Sequence, residues 1–141
     1  RISSERDPRI ARLHGKADRV LVDAPCSGLG TLRRNPDLKY RQSAATVNNL
    51  VFEQYSILNV AAELVRVGGR LVYATCSVLP EENEAQAERF LAEHPDFVAV
   101  DCAALLKAQK IDLDTGMYLK LNTEQHGTDG FFAAVFERKT A

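Results

Sequence analysis

The sequence predicts an α/β fold in which parallel strands are joined by crossover helices and an antiparallel pair closes the sheet. Two observations carry this prediction. Short apolar runs alternate with longer stretches of helical period. The leading run is apolar at every position, as a strand covered on both faces requires.

The first strand is expected over Arg19 to Asp23, where Val20, Leu21 and Val22 run together before Pro25 and Gly28. A helix should start at Ser43, a fitting N-cap, since Val47, Leu50, Val51, Ile57, Leu58, Ala61, Leu64 and Val65 recur at helical spacing. Gly68 and Gly69 read as its stop, and Arg70 to Thr75 as the second strand. Pro80 is expected to open a second helix whose first turn carries Glu81, Glu82 and Glu84, favourable against the positive end of the helix dipole. That helix should end near His94, before Pro95. Phe97 to Cys102 and Gly130 to Arg138 read as the antiparallel pair, separated by a polar stretch containing Gly116 and Gly127.

With 141 residues, 45% of them hydrophobic and 26% charged, the chain reads as one globular unit. No apolar run nears the roughly 20 residues of a membrane helix, so no membrane association is expected and a cytoplasmic location is. Cys26, Cys76 and Cys102 are odd in number and irregularly spaced, which fits neither a disulfide framework nor a zinc motif. Reduced thiols and no metal are expected. A net charge of −1 gives no global nucleic-acid signal, so any RNA contact must come from a local patch.

In an open parallel sheet, ligands sit beyond the carboxyl ends of the strands. Both predicted parallel strands end in a cysteine: one in Asp23-Ala24-Pro25-Cys26-Ser27-Gly28-Leu29-Gly30, the other in Thr75-Cys76-Ser77. A single cysteine is most often a small buried hydrophobe, and Cys102 is read that way. Two thiols at equivalent strand ends point instead to chemistry.

With DAPCSGLG, GGRLVYATCS, PEENE and the closing HGTDGFFAAVFERK, the chain resembles the Sun-type (RsmB/Nop-type) family of RNA cytosine-5 methyltransferases over nearly its whole length. The resemblance implies the C-terminal half of a Rossmann-like methyltransferase sheet, S-adenosylmethionine as methyl donor, and RNA, small-subunit ribosomal RNA in particular, as substrate. It implies Cys76 as the nucleophile that adds to cytosine carbon 6, and Cys26 as the thiol that assists breakdown of the adduct. Asp23, whose alternative reading is a turn-forming Asp, is implied to line the boundary between cofactor and base. A thiolate is needed because carbon 5 of cytosine is a poor nucleophile until carbon 6 is attacked, and covalent catalysis divides that hard step.

Gly28 and Gly30 are expected to allow close backbone approach or a special turn. Arg33, Arg34, Lys39 and Arg41, with Tyr40 among them, form the one basic cluster and are the candidate RNA contacts; a solvated surface face is the plainer reading. His126, Asp129 and Gly130 read as structural. No glycine-rich strand-to-helix turn precedes the first strand, so residues 1–141 are expected to be a partial methyltransferase domain lacking most of the cofactor seat. The competing expectation is a non-catalytic RNA-binding or interaction fragment that keeps the shape without turnover. If the first strand lacks one neighbour, its open edge invites self-association.

Overall fold

The computed structural model describes residues 5–140, in the order β1 (Ala17–Asp23), α1 (Leu38–Arg41), α2 (Ala44–Leu64), β2 (Val65–Thr75), α3 (Glu84–Glu93), β3 (Phe97–Val100), α4 (Cys102–Ala108), β4 (Leu119–Leu121), α5 (Thr123–His126) and β5 (Phe131–Arg138). One mixed sheet runs β1-β2-β5-β3, with β4 also on β5. β1 and β2 are parallel, Val20 opposite Leu71 and Asp23 opposite Ala74. β5 is antiparallel to β2 and inserts between it and β3, with Leu71 opposite Phe136 and Ala99 opposite Phe136 on its other side. The expected antiparallel pair therefore exists, and its last strand lies inside the sheet.

α2 forms as expected. Ser43 Oγ accepts from the Thr46 amide at 3.2 Å, and Thr46 Oγ1 accepts from the Ser43 amide at 2.8 Å, a reciprocal cap. The helix ends earlier than the Gly-Gly signal suggested, at Leu64. Val65 already pairs with Ala17 and Arg70 with Arg19, so Gly68 and Gly69 lie in an extruded bulge of β2. Residues 80–83 form turns ahead of α3, which begins at Glu84 and not at Pro80.

Alternation within the strands builds the core. Val22, Leu71, Tyr73 and Phe136 face α2 and α3 and are 5% exposed or less. Phe90 of α3 is fully buried, its ring centroid 5.2 Å from Phe97 and 4.7 Å from Phe136. On the opposite face, α4 covers β4 and β5 through Cys102, Leu105 and Leu106 around a small apolar cavity of 220 Å³. That helix and β4 lie in the stretch read from sequence as a polar connection; the strand expected to Cys102 ends at Val100, and Cys102 opens the helix at 4% exposure, consistent with packing.

β1 has a strand neighbour on one side only among the described residues. Along its other edge an open groove of 580 Å³ runs between Val20, Leu21, Asp23 and the α2 residues Glu53, Ile57 and Leu64. Leu21 is 68% exposed. Among the described residues no helix is long and apolar enough to cross a membrane.

Candidate active site

The parallel register of β1 and β2 carries the chain out of the sheet at the same end, Asp23 opposite Ala74, and the Ala24 amide still donates to the Ala74 carbonyl at 3.0 Å. The two cysteine loops thus start side by side. Cys26 and Cys76, fifty positions apart in sequence, meet with Sγ atoms 3.3 Å apart, and both are half-buried. Burial, reinforced by the adjacent Cys76 thiol, pushes Cys26 up to about 12 from an ordinary 9.0.

Both loops are locked to the start of β5. The Gly30 amide donates to the Cys76 carbonyl at 2.9 Å, and the Gly130 amide donates to the Gly30 carbonyl at 2.6 Å. A Cβ on Gly30 would stand 2.5 Å from the Gly130 carbonyl oxygen and 2.6 Å from that of Cys76. Three backbones cross here at a distance that excludes any side chain. Gly28 has a different duty, a left-handed turn at φ 73.

Behind the thiols lies a group that sequence reasoning placed differently. Glu82 does not face the α3 terminus; it turns inward and is fully buried. Its Oε1 accepts from the Ser27 amide at 2.8 Å and from Gln54 Nε2 at 3.1 Å. Its Oε2 accepts from Ser27 Oγ at 2.7 Å and from the Ser77 hydroxyl. Tyr73 donates its hydroxyl to the Glu82 carbonyl at 2.6 Å, and burial raises that hydroxyl's pKa. Asn83 braces the second loop, accepting from Thr75 Oγ1 at 2.5 Å and donating to the Ser77 carbonyl at 2.9 Å. The sequence signal for this network was the repeated Cys-Ser pair, at 26–27 and 76–77. Which of the three nearby carboxylates, Glu81, Glu82 or Glu84, would serve it was not readable.

Asp23 is exposed at the end of β1, in the edge groove; among the described residues no hydrogen bond joins it to either thiol. Three of the four basic candidates are paired with carboxylates. Arg33 donates from Nε to Asp129 Oδ1 at 2.8 Å and from Nη1 to the Gly127 carbonyl at 3.0 Å, while Arg34 lies 3.2 Å from the other Asp129 oxygen. Arg41 pairs with Asp37 at 2.8 Å. Lys39 rests 4.9 Å from the centre of the Tyr40 ring, which is 81% exposed. Asp129 thus fastens the basic loop to the turn before β5. His126 is structural as read, its Nδ1 accepting from the Asn122 amide at 3.1 Å.

Comparison with known proteins bears on the family and the fold. Residues 4–137 match the family described as 16S rRNA methyltransferase RsmB/F. A probable ribosomal RNA small subunit methyltransferase B from Synechocystis is 46% identical over 117 residues, 83% of this chain and 26% of that protein. The crystal structure of NSun6 from Pyrococcus horikoshii with SFG superposes with a TM-score of 0.78 at 25% identity, covering 99% of this chain and 34% of that one. A methyltransferase homologue from the same organism gives 0.70 at 30% identity, covering 94% and 42%. The chain thus spans between about a quarter and two fifths of these three proteins.

Proposed function

The chain belongs to the RsmB/F family of 16S rRNA methyltransferases, and from that premise we propose that it forms the target-base side of an S-adenosylmethionine-dependent RNA cytosine-5 methyltransferase with Cys76 as nucleophile. The observation that carries this reading is the meeting of two thiols, each just beyond a parallel strand's carboxyl end, 3.3 Å apart. A redox pair would serve less well, because the loops hold no Cys-x-x-Cys motif.

The Cys76 thiolate adds to cytosine carbon 6, and the ring electrons shift so that carbon 5 becomes nucleophilic. S-adenosylmethionine, when bound, supplies the electrophilic methyl that carbon 5 takes up. A base then takes the carbon 5 proton, the electrons of that C–H bond re-form the ring double bond, and Cys76 leaves carbon 6 as the thiolate. Either sulfur can donate across the 3.3 Å contact; in this reading Cys26, its pKa raised by burial, is the S–H donor and Cys76 the sulfur that presents a lone pair. The same neighbour can return a proton to the departing sulfur. Asp23 supplies an exposed carboxylate at the end of β1, suited to the exocyclic amine of the base or to the adjoining donor.

Donor binding fits one side of this chain only. Apart from Asp23, the groove along β1 offers mostly apolar side chains and two more carboxylates, Glu5 and Glu53. We therefore read residues 1–141 as part of a methyltransferase domain whose remaining surface completes the donor site. Lys39 and Tyr40 are the strongest RNA contacts of the basic loop, with Arg33, Arg34 and Arg41 contributing when their carboxylate partners yield.

The test extends the chain to the length of its relatives and incubates it with S-adenosylmethionine and small-subunit ribosomal RNA containing 5-fluorocytosine. Fluorine blocks the final elimination, so a covalent adduct should accumulate in the parent protein and in Cys26→Ala, and vanish in Cys76→Ala. An adduct that survives Cys76→Ala and is lost in Cys26→Ala reverses the assignment.

A further inference from the structure

The carboxylate of Glu82 lies under both cysteine loops, and no step of the reaction above uses it. Its four donors come from three places: the amide and hydroxyl of Ser27, the hydroxyl of Ser77, and Gln54 Nε2. Ser27 follows Cys26 directly, and Ser77 follows Cys76. Each serine is 1% exposed, and their hydroxyls lie 3.3 Å apart against the same carboxylate oxygen. The two segments are also joined by the sulfur contact itself and by the backbone bonds from Gly30 to Cys76 and from Ala24 to Ala74.

An ionised carboxylate accepts at several positions at once, and hydrogen bonds to a charge are shorter and stronger than neutral ones. A buried carboxylate is kept only where its partners satisfy it, which makes the arrangement all-or-none. We propose that Glu82 is a positioning residue: its carboxylate ties the residue after each cysteine to one anchor and so sets the spacing of the two thiols. The proposal rests on the catalytic reading of Cys26 and Cys76 for its purpose, but the spacing itself is measurable without catalysis.

The geometry also says which replacement should succeed. In Glu82→Gln the remaining oxygen can accept from the Ser27 amide and Gln54, as Oε1 does, while the new amide group donates to the two serine hydroxyls, which can accept. Glu82→Ala removes all four bonds. Gln54 is itself held by other partners, Pro25 carbonyl at 2.9 Å and Gln86 Nε2 at 3.1 Å, so the wall behind the site persists.

Diamide reports the spacing directly. It takes two electrons and two protons from Cys26 and Cys76, becoming the hydrazine as the disulfide forms, and the protein loses two hydrogens by mass spectrometry. Cys102, 4% exposed in a separate part of the core, reports folding through its protection from alkylation. The parent chain and Glu82→Gln should close the bond at rates within about threefold. Glu82→Ala, with Cys102 still protected, should be slower by roughly tenfold to a hundredfold, the penalty for misplacing reacting atoms by about 1 Å. Closure at the parent rate in folded Glu82→Ala overturns the proposal, as does failure of Glu82→Gln to rescue.

Should Glu82→Ala expose Cys102, Ser77→Ala decides instead, because it keeps the carboxylate and cuts one arm. Slower closure then supports the proposal, and an unchanged rate overturns it. A parent protein that forms no adduct on 5-fluorocytosine RNA sinks the catalytic reading without touching any of these rates.

Discussion

Gly130 donates its amide to the carbonyl of Gly30 at 2.6 Å, and the two alpha carbons are so close that a Cβ on Gly130 would lie 2.8 Å from that of Gly30. Gly30→Ala should therefore do more than fill space. It drives a methyl into the carbonyls of both Cys76 and Gly130, and the expected loss of stability is about 1–3 kcal/mol or more, as for overpacked cores. Gly28→Ala strains a left-handed turn at φ 73 and should cost about 1–2 kcal/mol. Urea denaturation ranks the two; Gly30→Ala at or below Gly28→Ala contradicts the crossing.

The Cys26 thiol predicts an alkaline weakness. Its pKa is raised in the folded chain, so the folded state holds this proton more tightly than the unfolded state does. Its stabilising contribution is whole below about pH 9 and is lost as pH rises toward 12. In Cys26→Ala the fall of the urea midpoint between those pH values should be shallower than in the parent. Parallel slopes would refute the assignment of the raised thiol to Cys26.

Two changes in the basic loop should act in opposite directions on RNA. Lys39→Ala removes an exposed cation, and the slope of log affinity against log salt should shrink by about 1. Asp129→Asn releases Arg33 and Arg34 from their common carboxylate and should steepen that slope, while costing at most about 1 kcal/mol of stability, as exposed ion pairs do. Filter binding over a salt series reads both, and a Lys39→Ala slope equal to the parent's removes Lys39 from the interface.

Self-association is expected for this chain because, among the described residues, β1 has a strand neighbour on one side only and its Leu21 is 68% exposed. A charge at that position is the usual guard of an edge strand. Leu21→Lys should shift the sedimentation profile toward monomer at high concentration. A parent chain that is already monomeric there removes the basis for the prediction.

Much of this was legible in the residues. The apolar run Val20-Leu21-Val22 and the helical period from Ser43 located β1 and α2, and the cysteines after two strands pointed to the two loops whose thiols meet. Less was legible where a residue's meaning depends on what folds back against it. Glu82 lies in a run with Glu81 and Glu84, and nothing local distinguishes the one turned into the protein. Arg33 and Arg34 looked like free cations because Asp129, their partner, arrives almost a hundred positions later. Gly68 and Gly69 resemble a helix stop, yet strand pairing at Val65 had already ended the helix, so tertiary pairing prevailed over the local signal. The α4 helix spans only Cys102–Ala108 and is apolar almost throughout, which gives period reading no alternation to count.

The insertion of β5 between β2 and β3 has a temporal consequence. Chains leave the ribosome amino end first. Until Phe131–Arg138 emerges, β2 lacks its second neighbour, β3 and β4 lack any strand partner, and Gly130 cannot close the crossing at Gly30. The paired thiols cannot reach their final setting early. A nascent chain halted before residue 131 carries both cysteines and every member of the Glu82 network, yet would leave the ribosome as an unfinished sheet, and maturation of the site waits for the last strand to be threaded between its neighbours.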